Sequence, residues 1–407
     1  MRGIKRRLAL YAGGIMILLL LGGFFFLTVK NTLGLDRSDR EARSAASLDI
    51  GPQKPLLHPP SVVRAIYLTG WSAGDAAKIS YVLHLARENA VNAVVIDIKD
   101  YSGHVSYDVP DPEVAQYHAA EGRIQKINSL LKELHDAGIY VIGRITVFQD
   151  PVLAHARPAM AVHNGAKMTS TSSEAFASTA SLWHDEGGLN WMDPASRGVW
   201  KYVAAIAKNA AQRGFDEVNF DYVRFPSGGN LDAAQYPSWN KTTPRSVVIE
   251  DFFKYLRDAL PHVKISADLF GFTTFRKDDL GIGQLIEDAF PYFDYIAPMV
   301  YPSHYSAGFL EYKKPASYPY EVVSYSLKAA EARRETLMNA TSTRVSGAPI
   351  AKLRPWLQDF ELGGVPYDAA MVTQEIQATK DSLSKDYVGF MMWSPTNVYT
   401  EAALLIK

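Results

Sequence analysis

Phe215-Asp216-Glu217-Val218-Asn219-Phe220-Asp221-Tyr222-Val223-Arg224-Phe225-Pro226 reads as a short strand that ends in a carboxylate. Gly214 closes the helical pattern at 197–212 before it, and Pro226 keeps the strand from running on. Side chains alternate faces along a strand, so Val218 and Phe220 share one side while Asn219 and Asp221 share the other. In a barrel stave the apolar side meets the covering helices and the polar side points into the mouth.

Outward from this segment the same alternation repeats. Apolar runs at 65–68, 93–98, 140–147, 264–269, 295–300 and 388–393 read as strands, and 350–356 as a weakly defined one. Helical periodicity at 78–89, 124–137, 247–260, 284–289, 321–338, 369–384 and 401–406 separates them. Strands alternating with helices imply a parallel sheet, and about eight units in one series favour a closed (β/α)8 TIM barrel over an open doubly wound sheet. No glycine-rich phosphate loop follows the first strand, which argues against a dinucleotide fold. The barrel is expected over residues 61–407.

Catalytic groups of such barrels sit at the C-terminal strand ends. The next strand, Lys264-Ile-Ser266-Ala-Asp268-Leu, repeats the layout: Ser266 and Asp268 face inward. Two carboxylates on neighbouring strand ends suit glycoside hydrolysis, in which one attacks or activates water and the other protonates the leaving oxygen. Asp221 and Asp268 are therefore the candidate catalytic pair. The competing reading of Asp221 is an ion pair with Arg224 that shapes the loop; that of Asp268 is a substrate-binding or pKa-tuning carboxylate. Arg144, on the third strand, is a further partner for Asp221 or Asp97. Asp97 and Lys99 share a face and are expected to pair inside the barrel, whereas Asp100, at the loop start, is expected to meet substrate. Asn219, Tyr301, His304, Trp356, Asp359 and Trp393 complete the expected mouth lining, with Trp393 read evenly as a sugar-subsite floor or a core plug.

Some fifty residues separate the third strand from the helix at 197. The Ser/Thr/Ala-rich part, 168–181, is either an active-site cover or a surface insertion. Its flank at 184–194, with Trp183 and Trp191, reads as a substrate wall.

Bulk composition narrows the options. Of 407 residues, 47% are hydrophobic and 21% charged, so a large core is available. A formal net charge of −1 gives no basic surface for nucleic acid. The absence of cysteine excludes disulfides and thiolate chemistry. The 10 histidines are scattered, with no HExxH, and no GxSxG elbow occurs, so neither a metal site nor a cofactor nor a serine nucleophile is expected. Residues 8–29 form an apolar run long enough for a ~30 Å hydrocarbon core. Arg2, Lys5, Arg6 and Arg7 precede it, which keeps the tail at 1–7 cytoplasmic and the remainder outside. The expectation is a transmembrane signal anchor followed by a linker at 30–60; the lesser alternative is a cleaved signal peptide.

These residues also resemble a known family. GFDEVNFDYVRFPS at 214–227 and LNWMDPASRGVWKYVAAIAKNAA at 189–211 are similar to the bacterial putative glycosyl hydrolase domain, a glycoside hydrolase-like TIM barrel related to the alpha-amylase superfamily. VRAIYLTGWSAG, VVIDIKDYSG, IGRITVFQDP, DYIAPMVYPSHY, RPWLQDF and GFMMWSPTN extend the resemblance from about residue 61 to the C-terminus. It implies action on glycosidic bonds of a carbohydrate substrate, with Asp221 matching the strand-four nucleophile of amylase-like barrels. Asp268 stands where those enzymes usually carry glutamate, a departure that bears on the identity of the acid.

Overall fold

The computed structural model describes residues 49–168, 170–341 and 350–405; the expected basic tail, the membrane span at 8–29 and the linker up to residue 48 lie outside them. Among the described residues no helix is long and apolar enough to cross a membrane.

The sheet is a closed parallel barrel. Its staves are β1 (Val63–Leu68), β2 (Ala93–Lys99), β3 (Tyr140–Thr146), β4 (Glu217–Asp221), β5 (Ile265–Phe270), β6 (Tyr295–Met299), the split pair β7 (Lys352–Leu353) and β8 (Trp356–Gln358), and β9 (Gly389–Trp393). They pair in chain order, and β9 returns to β1. The seventh stave, expected as one strand, breaks at Arg354-Pro355. Proline has no N–H for the ladder, and Arg354 is fully buried against Glu217. β7 therefore pairs with β6, while β8 bridges β6 and β9 and completes the closure.

Helices α1 (Ala76–Arg87), α2 (Ile127–Asp136), α3 (Arg197–Arg213), α4 (Arg245–Ala259), α5 (Ile286–Ala289), α6 (Pro319–Thr341), α7 (Ala369–Leu383) and α8 (Glu401–Leu404) follow the staves. α3 ends where Gly214 takes a left-handed conformation, φ 105°. Strand alternation divides the core in two. Val218, Phe220, Ile265, Ala267 and Leu269 pack under the helices, while Ala65, Tyr67, Val95, Ile142, Ala297 and Met391 fill the barrel.

Residues 49–60, expected as the end of a linker, are bound onto the barrel. Asp49 accepts from the Asn128 and Ser129 amides at the start of α2. The Gln53 amide donates to the Arg213 carbonyl at 2.9 Å. The Leu56 amide reaches Asp216, just before β4, and its side chain packs against the interior cluster. The Ser/Thr-rich stretch is mostly exposed, with short helical turns at Ser173–Phe176 and Thr179–Ser181. Its flank is not the expected substrate wall: Trp183 and Trp191 are each 1% exposed and serve the packing beneath.

Candidate active site

The end of β4 is shaped by one backbone feature. Tyr222 adopts a left-handed conformation, φ 55°, which is uncommon for a residue with a side chain and is found where function holds strain. The turn directs the Tyr222 amide back onto Asp221 Oδ1 at 2.5 Å. The other oxygen, Oδ2, is bound by Arg144. Register places these groups together: Thr146 lies beside Asp221, and Arg144 beside Asn219 and Asp97. The sequence left Arg144 and Arg224 as alternative partners, and the structure joins Asp221 to Arg144. Past the turn, Arg224 lies instead among the Trp191, Tyr222 and Phe270 rings and donates to Phe225 O and Ser227 Oγ.

Asp268, inward on β5 as expected, is 1% exposed. Its Oδ1 accepts from Asn219 Nδ2 at 2.8 Å and Trp356 Nε1 at 2.7 Å. Its Oδ2 has no hydrogen-bond partner among the described residues and lies 3.6 Å from Arg144 Nε. One guanidinium thus reaches both carboxylates and brings them to the same cation at the barrel mouth. Burial pushes the Asp268 pKa well above the usual carboxylate range, and the charge of Asp221 adds to it, against the opposing pull of Arg144. The two acids sit in unlike settings: one bound by a cation and an amide, the other buried and drawn toward its protonated form.

A third carboxylate, Asp97 on β2, belongs to the same cluster. Arg144 Nη1 meets its Oδ1 at 2.5 Å, and the Tyr67 hydroxyl donates to its Oδ2 at 2.5 Å. Burial raises its pKa to about 6, with Arg144 opposing. The expected Asp97–Lys99 pair does not form. A register shift between these residues breaks the alternation, and Lys99 turns to Asp150 at 2.9 Å and the Thr146 carbonyl at 2.6 Å. Arg144 is itself buried; the charges of Asp97 and Asp221 outweigh that burial and keep it cationic.

Beside the acids stands an aromatic group. Tyr301, after β6, makes ring contacts with His304, Phe360 and Trp393 at centroid distances of 5.1, 5.8 and 5.7 Å. Phe360 meets Trp393 edge-on at 4.8 Å. Burial lowers the His304 pKa to about 4, so its ring is neutral near pH 7. Burial, then the charges of Asp268 and Asp221, push the Tyr301 hydroxyl pKa well up, which keeps it a proton-bearing donor.

The remaining expected mouth residues have internal duties. Trp356 and Asn219 are buried clamps on Asp268. Trp191 donates to Asp185 Oδ2 at 2.8 Å beneath Arg224. Asp100 pairs with Arg123 at 2.6 Å and accepts from Ser102. Asp359 accepts from the Thr400 amide and hydroxyl, each at 2.7 Å, and so fastens the chain ahead of α8. In each, a polar atom expected to face substrate is bonded to a protein partner, although Asn219 Oδ1 has no hydrogen-bond partner among the described residues. Tyr67 and Phe360 are site residues the sequence reading did not name. The parity of β1, which puts Tyr67 on the inner face, was the available signal for one; no periodic pattern marked the other.

Residues 65–399 match the family described as "Putative glycosyl hydrolase domain". No curated protein matches the chain. Among solved structures, a hypothetical protein from Ruminiclostridium thermocellum is 33% identical, with 53% of this chain and 98% of that one aligned and a TM-score of 0.44. An alpha-galactosidase from Thermus thermophilus is 13% identical over 88% of this chain and 63% of that one, TM-score 0.47. The glycoside hydrolase domain of PelA from Pseudomonas aeruginosa is 10% identical over 84% and 97%, TM-score 0.41.

Proposed function

We propose that this chain, which belongs to the putative glycosyl hydrolase domain family, cleaves glycosidic bonds of a cell-envelope or extracellular polysaccharide with Asp221 and Asp268. The observation that carries the reading is the sharing of Arg144 by two strand-end carboxylates in unlike environments. Asp221, bound by the guanidinium and the Tyr222 amide, takes the role of nucleophile or base. It attacks the anomeric carbon, or removes a proton from the attacking water. Asp268 is the protonated member; its Oδ2 gives the proton to the departing glycosidic oxygen. Where Asp221 has attacked the anomeric carbon, the Asp268 carboxylate then takes a proton from the water that hydrolyses the glycosyl–Asp221 ester; where Asp221 has activated water, it passes that proton to solvent and Asp268 takes one back from solvent. A buried acid drawn toward its protonated form serves as the acid of such a pair.

The pair admits both stereochemical courses, and the configuration of the first sugar released, read by NMR, assigns one. The polysaccharide assignment draws on the family and on the reading of residues 8–29 as an anchor that would hold the barrel outside the cytoplasm.

Asp221→Asn is the direct test. It is expected to lower turnover on a hydrolysed glycan by more than a thousandfold, with unchanged far-UV and near-UV dichroism. Full activity in the variant removes Asp221 from the mechanism. A second reading, a weakly catalytic barrel that binds glycan during envelope assembly, draws on the near-complete burial of Asp268. Turnover on any oligosaccharide that Asp221→Asn or Asp268→Asn abolishes excludes it.

A further inference from the structure

Two aromatic side chains stand exposed on the rim above β1 and β2, outside the acid cluster: Trp71, 59% exposed, and Tyr101, 44% exposed. Trp71 lies in the short turn Gly70–Ala73 after β1, and Tyr101 in the turn after β2. Both are therefore on the C-terminal face that carries Asp221 and Asp268. Large exposed rings on a soluble surface mark contact sites when they are held in place.

The Trp71 turn is held. Thr69 caps the turn by accepting from the Ser72 amide, and its own amide donates to Asn397 Oδ1 at 3.0 Å. A Cβ on Gly70 would stand 2.1 Å from Ser106 Oγ, and one on Gly74 would stand 1.9 Å from the Arg123 carbonyl. The turn is thus pressed onto the loop after β2 at two points that admit only glycine. The Arg123 guanidinium backs the indole at 5.3 Å and is fixed by Asp100 and Glu121. Its side chain is 4% exposed, so a buried cation supports one face of Trp71 while the other meets solvent. Tyr101 follows the Asp100 that holds this cation. Asp100 therefore ties the base of the Tyr101 turn to the cation that backs Trp71. Ser106 completes the link by donating to the Asp97 carbonyl at 2.7 Å.

We propose that Trp71 and Tyr101 form a stacking platform for pyranose units of a polysaccharide strand lying across the mouth, several sugars from the bond that is cut. This rests on the glycosidase reading and deepens it: the substrate is a polymer, gripped at a distance from the acids. A pyranose fits the platform chemically, since its C–H face packs on an aromatic ring while its hydroxyls meet polar neighbours such as Ser72 and Ser102. A protein partner would ask for a continuous apolar core, and these two rings are set among polar side chains.

The test uses the full chain carrying Asp221→Asn, in native gels cast with soluble starch, galactomannan, xylan or glycol chitosan. At least one polymer is expected to retard it, and adding Trp71→Ala should weaken that retardation about three- to tenfold, with Trp71→Phe restoring most of it. Trp71→Ala alone should raise KM on the polymer by the same factor and leave kcat on a short aryl glycoside unchanged. No retardation by any of the four polymers, or retardation indifferent to Trp71→Ala, overturns the platform. So does a change in sedimentation mass on Trp71→Ala with retardation intact, which assigns the surface to a second copy. If retardation depends on Trp71 while Asp221→Asn leaves hydrolysis intact, the platform stands and the catalytic assignment falls.

Discussion

Three carboxylates, Asp97, Asp221 and Asp268, converge on the single cation Arg144. Full ionisation would leave two uncompensated negative charges in a buried space, so the cluster retains protons at pH values where exposed acids have lost theirs. Two consequences can be measured. If Asp268 is the proton donor, the alkaline limb of the pH–rate profile follows its raised pKa, and Asp268→Asn removes that limb while lowering the maximum. Because the Asp221 charge is one source of the rise, Asp221→Asn should let Asp268 titrate at lower pH, as read by carboxyl NMR or difference infrared spectra. Asp97 supplies a stability test. Its native pKa of about 6 lies above the unfolded value near 4, so the native state holds the proton more tightly. That contribution is present below about pH 4 and is lost as pH rises to about 6, a change of about 3 kcal/mol. Urea denaturation of the wild type relative to Asp97→Asn should decline across that window; a flat or rising difference contradicts the assignment.

At the scale of elements, the strap at 49–60 illustrates what the sequence conceals. Its prolines and lack of apolar period read as linker, yet Asp49 caps α2 and Leu56 packs against the barrel interior. Asp49→Ala should cost about 1 kcal/mol, the usual worth of a helix cap, and Leu56→Ala about 1–3 kcal/mol, measured by chemical denaturation. The strand–helix alternation was legible because period 2 and period 3.6 are local signals, and it placed Asp221 and Asp268 inward on adjacent staves. What escaped were features set by partners distant in sequence. Whether Trp191 meets sugar or Asp185, and whether Arg224 meets Asp221 or three rings, depends on a left-handed residue at Tyr222 that no periodicity announces. The break in alternation at Asp97–Lys99 is of the same kind, since a bulge is a property of two strands together. Likewise, 350–356 read only as a weakly defined strand, and the sequence did not show that Arg354 would be buried against Glu217 and divide it at Pro355.

For the whole molecule, we propose that an anchor at 8–29 and the catalytic barrel are separable. The strap from Asp49 onward is tied to the barrel by Asp49 at the start of α2 and by the Leu56 amide on Asp216. The apolar run at 8–29 is long enough to span a bilayer, and the four basic residues ahead of it give it an orientation. We therefore expect the full chain to stay with membranes through carbonate extraction, and protease added to intact cells stripped of their outer layers to reach the barrel. Removing residues 1–29 should transfer the protein to the soluble fraction, with its melting temperature and its turnover on a short glycoside unchanged, because no group in the acid cluster or the strap is lost. Release by carbonate without truncation would replace the anchor by a cleaved signal. A fall in melting temperature on truncation would instead mean that the segment ahead of Asp49 stabilises the barrel.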